Sequence, residues 1–124
     1  MNVSGIDASY YYAQDFDRAV SFYSALIGSP PPMLVPGMFA EWEFKGGEAF
    51  GLYKGSHYEH CDGLMFAVDD VAAAVAELRA RGVHFADDGA VEDTPVCHMA
   101  FGKDSEGNGF ILHKRKSDAS PVSI

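Results

Sequence analysis

Asp15-Phe16-Asp17-Arg18-Ala19-Val20-Ser21-Phe22-Tyr23 follows a strand-like run and opens a stretch of helical periodicity. Asp70-Val71-Ala72-Ala73-Ala74-Val75-Ala76-Glu77-Leu78 does the same later in the chain. In the first copy Asp15 is placed to cap a helix whose apolar positions Phe16, Ala19, Val20, Tyr23, Leu26 and Ile27 form one stripe, with Gly28 and the prolines after it as the stop. In the second copy Asp69 or Asp70 caps a helix striped by Val71, Ala74, Val75 and Leu78 and stopped by Gly82. Two such phrases at a fixed spacing are the mark of a supersecondary unit used twice.

Around the first phrase lie a strand at 6–13, a short extended piece at 33–35, and strands at 39–44 and 48–53 joined through Gly46 and Gly47. Around the second lie strands at 63–68, 83–86, 95–101 and 109–114, the last two joined by the turn Asp104-Ser105-Glu106-Gly107-Asn108. Each half reads β-α-β-β-β. The expected class is α+β: two pseudo-symmetric modules, 1–54 and 63–116, forming a curved, cup-like mixed sheet with helices on its outer face. Residues 55–62 are read as a linker and 117–124 as a tail. Setting Asp15 on Asp70, an offset of 55 residues, also places Ala8 on Gly63 and Asp7 on Asp62.

Composition narrows the function. The 124 residues carry 18 acidic and 9 basic groups, a formal net charge of −9, which disfavours nucleic acid and suits cationic small molecules. The basic run Lys114-Arg115-Lys116 is read as a solvated strand end. Two cysteines make no disulfide framework and no signal peptide is recognised, so a reduced, cytoplasmic setting is expected. No charged residue falls between Ala19 and Ala40, yet Pro30, Pro31, Pro32 and Pro36 in that stretch exclude a membrane helix.

Asp15-Phe16-Asp17-Arg18-Ala19 with Phe22-Tyr23 and Gly28, then Phe66-Ala67-Val68-Asp69-Asp70-Val71, Leu78 and Gly82, and finally the turn 104–108 before Phe110-Ile111-Leu112 carry a resemblance. The chain resembles the vicinal oxygen chelate superfamily, the fold of glyoxalase I, extradiol dioxygenases and the fosfomycin- and bleomycin-resistance proteins. It has serine at 105 where the family often has proline. The resemblance implies four inward-facing ligand positions in metal-using members, which fall here on Ala8, Gly51, Gly63 and Ile111. None has a side-chain donor, and a divalent ion needs such donors at about 2.0–2.6 Å. No metal and no cofactor is therefore expected. A register slip of one residue brings in Asp7 and Asp62 but supplies at most half a site.

Alternation puts Tyr10, Tyr12, Tyr53, Met65 and His113 on the same face as those positions. Such a wall suits a flat organic ligand, or its rings fill the space that metal and substrate vacate. Trp42 joins it if the Gly46-Gly47 hairpin has a two-residue loop; a three-residue loop sends Trp42 under a helix and turns Glu41 and Glu43 inward instead. His113 is the weak candidate for a catalytic base, against a reading as a solvated histidine. His57, His60 and Cys61 have metal-like spacing but sit in the linker without a fourth ligand, and Cys97 and His98 point to opposite faces of one strand. The reading that follows is a metal-free binder of a small organic molecule, bleomycin-resistance-like, its cationic aromatic ligand held in a homodimer. The alternatives are a lyase, isomerase or dioxygenase with an unconventional metal site or a His113-tyrosine pair, and a non-catalytic dimerising regulatory module.

Overall fold

A computed structural model describes residues 1–2, 6–55 and 64–116. The chain divides into two compact units, Met1–Cys61 and Asp62–Ile124. The first runs β1 (Ala8–Ala13), α1 (Phe16–Ile27), β2 (Met33–Val35), β3 (Phe39–Glu43) and β4 (Ala49–Lys54). The second runs β5 (Leu64–Ala67), α2 (Val71–Ala80), β6 (Glu92–Asp93), β7 (Cys97–Lys103) and β8 (Gly109–Arg115). The sheets have the same order, β1-β4-β3-β2 and β5-β8-β7-β6, with the first and last strands of each unit parallel and the rest antiparallel. This is the repeated α+β unit that the two phrases predict.

Local chemistry starts and stops the helices where the sequence indicates. Asp15 accepts a hydrogen bond from the Arg18 amide at 3.2 Å and Asp70, not Asp69, accepts from that of Ala73 at 3.0 Å, each pairing an amide the first turn leaves over. At the other end of α1, Gly28 turns left-handed (φ 94°) and its N–H reaches the Ser24 carbonyl at 2.9 Å. In the first unit Phe16, Ala19 and Tyr23 of α1 are buried with Tyr11, Trp42, Phe50 and Leu52; Tyr23 and Phe50 rings lie 4.6 Å apart. In the second, Val71, Val75 and Leu78 of α2 are buried with Phe66, Ala100, Phe110 and Leu112.

The two main hairpins share one turn. Lys45, Gly46 and Gly47 link β3 to β4 below the pair Phe44 and Glu48, whose amide and carbonyl bond at 2.8 Å; Ser105, Glu106 and Gly107 link β7 to β8 below Asp104 and Asn108, bonded at 2.9 Å. Gly47 and Gly107 take φ 96° and 87°, the left-handed residue that closes a three-residue loop. In the second turn the Asp104 carboxylate also accepts from the amides of Glu106 and Asn108 at 2.8 Å and from the Asn108 side chain at 3.0 Å.

Two sequence expectations are corrected. A strand at 83–86 is reduced to a single bridge between Phe85 and Gly102. A tight turn, Ala86–Gly89, intervenes, and the unit's second strand is the short β6. Asp87, Asp88 and Gly89 all have positive φ (52°, 56° and 82°), so no strand can continue past Ala86. The placement of Trp42 is the second correction, and it bears on the site.

Candidate functional site

The register of each sheet decides which residues share the face turned away from its helix. In the first unit β1 and β4 set Tyr10 beside Gly51 and Tyr12 beside Tyr53, while β3 and β4 set Glu41 beside Gly51, Phe39 beside Tyr53 and Trp42 beside Phe50. Tyr10, Tyr12 and Tyr53 thus stand together, as expected, with ring centroids 5.2–6.2 Å apart, two of the three pairs edge-to-face. Phe39 extends the cluster, its ring 4.7 Å from that of Tyr53. The three tyrosines remain 41–52% exposed.

Trp42 does not belong to this face. The three-residue loop shifts β3 by one residue relative to the two-residue alternative, and a one-residue shift reverses every side chain. Trp42 is 2% exposed, stacked on Phe50 at 6.0 Å, with its indole N–H donating to the Ser29 carbonyl at 2.9 Å. Glu41, half-buried, and Glu43, exposed, take the open face instead. An apolar ring satisfied on the covered side and two carboxylates left near water is the arrangement burial energetics favour.

In the second unit β5 and β8 pair Met65 with Ile111 and Ala67 with His113, while β7 and β8 pair Phe101 with Ile111 and Met99 with His113. Met65 and His113 therefore share a face, the first exposed and the second half-buried. Among the described residues the His113 side chain makes no hydrogen bond that would orient it as a base. Cys97 is buried and pairs with Arg115, whereas His98 projects to the other face and lies 3.3 Å from the Asp93 carboxylate. Asp93 also receives Lys116 Nζ at 2.6 Å, and that bond, with the ammonium charge and a smaller contribution from His98, holds its carboxyl below the usual aspartate range.

Three of the four positions where the resemblance implies metal ligands are described. Ala8 is exposed on the tyrosine face, Gly51 is buried beside Tyr10, and Ile111 is buried. None carries a donor, and no cluster of three histidine, cysteine, aspartate or glutamate side chains occurs among the described residues. Gly63, with Asp62, His57, His60 and Cys61, lies outside them. Asp7 precedes β1, and its carbonyl accepts the Ala49 amide at 2.9 Å. A methyl group on Gly51 would stand 3.4 Å from the Ala40 carbonyl and 3.6–3.7 Å from Phe39 and Tyr10, so the cluster packs on a bare backbone floor. No helix is long and apolar enough to cross a membrane among the described residues.

Phe39 escaped the sequence reading because its face depends on the same hairpin phase as Trp42. Phe101 was likewise not singled out, although its alternation with Lys103 and Met99 across from Ile111 would have found it.

No family model matches the chain, and no curated protein matches its sequence. Solved structures do match its backbone. A lactoylglutathione lyase from Agrobacterium tumefaciens superposes with a TM-score of 0.74 at 18% identity over 90% of this chain and 94% of its own. A glyoxalase/bleomycin resistance protein/dioxygenase from Nocardioides gives 0.73 at 19% over 100% and 91%, and a glyoxalase/bleomycin resistance protein from Catenulispora acidiphila 0.69 at 20% over 88% and 97%. The fold is accordingly that of the glyoxalase/bleomycin-resistance proteins, which agrees with the vicinal oxygen chelate resemblance. At these identities the likeness concerns the backbone and transfers no reaction.

Proposed function

We propose that this chain binds a small, flat organic molecule, preferably a cation, on the aromatic face of its first unit, in the manner of bleomycin-resistance-type proteins and without a metal ion. The observation that carries the reading is the accessible cluster of Tyr10, Tyr12, Tyr53 and Phe39 beside Glu41 and Glu43. The rings offer edges and faces to a planar ligand, and the phenolic hydroxyls can orient it. A cation over a tyrosine face gains about 0.5–2 kcal/mol according to how far it is desolvated, and carboxylates that keep their water add attraction without a large burial cost. A homodimer in the cytoplasm completes the proposal; it is favoured by the exposed apolar edge strand β2, with Met33, Leu34 and Val35 each about half accessible.

Calorimetric titration of the full chain with cationic polycyclic dyes and their neutral isosteres tests it. Micromolar binding of the cations, at least tenfold weaker for the neutral forms and lost in Tyr10→Ala/Tyr53→Ala, is the expected result. No heat from any cation at millimolar concentration would end the proposal. Elemental analysis of dialysed, tag-free protein addresses the metal: about one tightly held ion per chain would favour a lyase, isomerase or dioxygenase instead.

A further inference from the structure

We infer that a second copy of this chain docks on the outer edge of β2, antiparallel and two-fold about Leu34, so that the first units of two copies share one continuous sheet; this rests on the homodimer proposed above and names its contact. β2 ends the order β1-β4-β3-β2, and no described strand pairs with its outer side. Which of its backbone groups face outward follows from β3. Just past either end of β3, the Phe44 amide donates to the Glu48 carbonyl at 2.8 Å and the Met38 carbonyl accepts the Lys54 amide at 2.8 Å. Even-numbered residues of this stretch therefore bond to β4, and the odd-numbered Phe39 and Glu41 turn their backbone groups to β2. Their partners Val35 and Met33 are engaged, and Leu34 presents its N–H and C=O to the outside. By the same alternation the next outward positions are 32 and 36, and both are proline, which has no N–H to give.

One outward donor per chain selects the partner. A foreign peptide laid along this edge finds a single N–H and gains little ladder. A second copy related by a two-fold axis at Leu34 makes that residue donor and acceptor in both directions and asks nothing of either proline. The prolines, a device against indiscriminate edge pairing, thus leave one register open. A bend at 32 and the turn 36–38 carry the chain away from the edge at both ends, and Gly37 in that turn has open space around it, so two copies can meet over the three residues of β2. Met33, Leu34, Val35 and, in the turn, Met38 are 45–64% exposed and supply the apolar surface for the contact. Charge points the same way. A chain of net charge −9 repels its own copy wherever acids face each other, whereas residues 19–40 contain no aspartate, glutamate, lysine or arginine, so this edge brings no like charge to the contact. Because Met33 closes the row Tyr10-Gly51-Glu41-Met33, setting it beside Val35 of the second copy joins the open faces of the two first units into one surface.

Sedimentation equilibrium of the full chain tests the inference. A dimer is expected at micromolar concentration, and Leu34→Lys, which sets two ammonium groups across the axis at an exposed position, should weaken it at least tenfold with an unchanged circular dichroism spectrum. Disulfides read the register. In the two-fold pairing Met33 lies opposite Val35 of the second copy with Cα atoms about 4.5 Å apart, within disulfide reach, while the two Met33 residues lie on a diagonal of roughly 7–8 Å, at or beyond its limit. A mixture of Met33→Cys and Val35→Cys chains should therefore link at least tenfold faster under mild oxidation than either variant alone, with the 33–35 bond identified by peptide mass mapping. A dimer indifferent to Leu34→Lys, or mixed chains that link no faster than the separate ones, would overturn this contact and leave the proposed homodimer standing. A chain that stays monomeric at millimolar concentration would end both. None of these measurements needs a ligand, so they succeed or fail independently of the dye titration of the cation site.

Discussion

Replacing Trp42 by phenylalanine separates the covered face of the first unit from its open face. The indole is 2% exposed and its N–H donates to the Ser29 carbonyl at 2.9 Å. Phenylalanine keeps a ring against Phe50 but removes the donor, at about 0.5–1.5 kcal/mol. Because Ser29 is exposed, its carbonyl can turn to water and the cost should fall at the lower end of that range. The smaller ring also leaves a void of roughly 40 Å³, worth about 1 kcal/mol at the measured cavity slope, with a similar amount for lost apolar transfer. The sum is about 2–3 kcal/mol. For a chain of this length that corresponds to a fall of roughly 6–12 °C in melting temperature. Trp42 is the single tryptophan, so unfolding should be followed by far-ultraviolet circular dichroism in urea and not by fluorescence. Affinity for a cationic aromatic ligand should stay within twofold of the parent, because nothing on the tyrosine face has changed. A variant that melts normally but loses ligand tenfold would show that Trp42 works on the open face, and the hairpin register argued here would be refuted.

Gly102→Ala should cost about 1–3 kcal/mol by denaturant titration, since its methyl would stand 2.6 Å from Phe110 Cζ and that ring is held against Phe66 and Phe85; an unchanged midpoint would mean the ring has room to move. Ser105→Pro should raise stability by roughly 0.4–1 kcal/mol, because residue 105 occupies the second position of the turn closed by the Gly107 amide and its hydroxyl is buried without a partner among the described residues; a loss of stability would contradict that geometry. The Asp93 carboxyl, followed by NMR, should titrate below the ordinary aspartate range, and Lys116→Ala should bring it back up. Its folded pKa is depressed, so whatever stability it contributes is present above the unfolded aspartate value and fades as the pH drops through the folded one. A midpoint insensitive to Lys116 would show that the 2.6 Å contact does not persist in solution.

Legibility of the fold and of the site differed because they rest on interactions of different range. Helix limits follow from contacts three or four residues apart: Asp15 to Arg18, Asp70 to Ala73, Gly28 to Ser24. The repeat followed from periodicity, and β1 and β5 alternate simply enough that Tyr10, Tyr12 and Met65 were assigned a face from sequence. The empty donor positions Ala8, Gly51 and Ile111 were readable for the same reason. The end of α2 was harder, because Gly82 stops the helix without saying that Asp87 and Asp88 adopt left-handed backbone a few residues later. That turn is also met by Arg79, which donates to the Asp88 carbonyl nine residues away.

The sequence by itself determined the β-α-β-β-β unit used twice, the cap of the first helix and the stops of both, and the lack of side-chain donors at the positions where the resemblance implies metal ligands. Only the tertiary structure decided that Lys45-Gly46-Gly47 makes a three-residue loop, and with it the faces of Phe39, Glu41 and Trp42. Two glycines permit either loop length at little local cost, so the phase of β3 is left to packing. Burial of the indole on Phe50, with a carbonyl for its N–H, outweighs burial of two carboxylates that have no partner there.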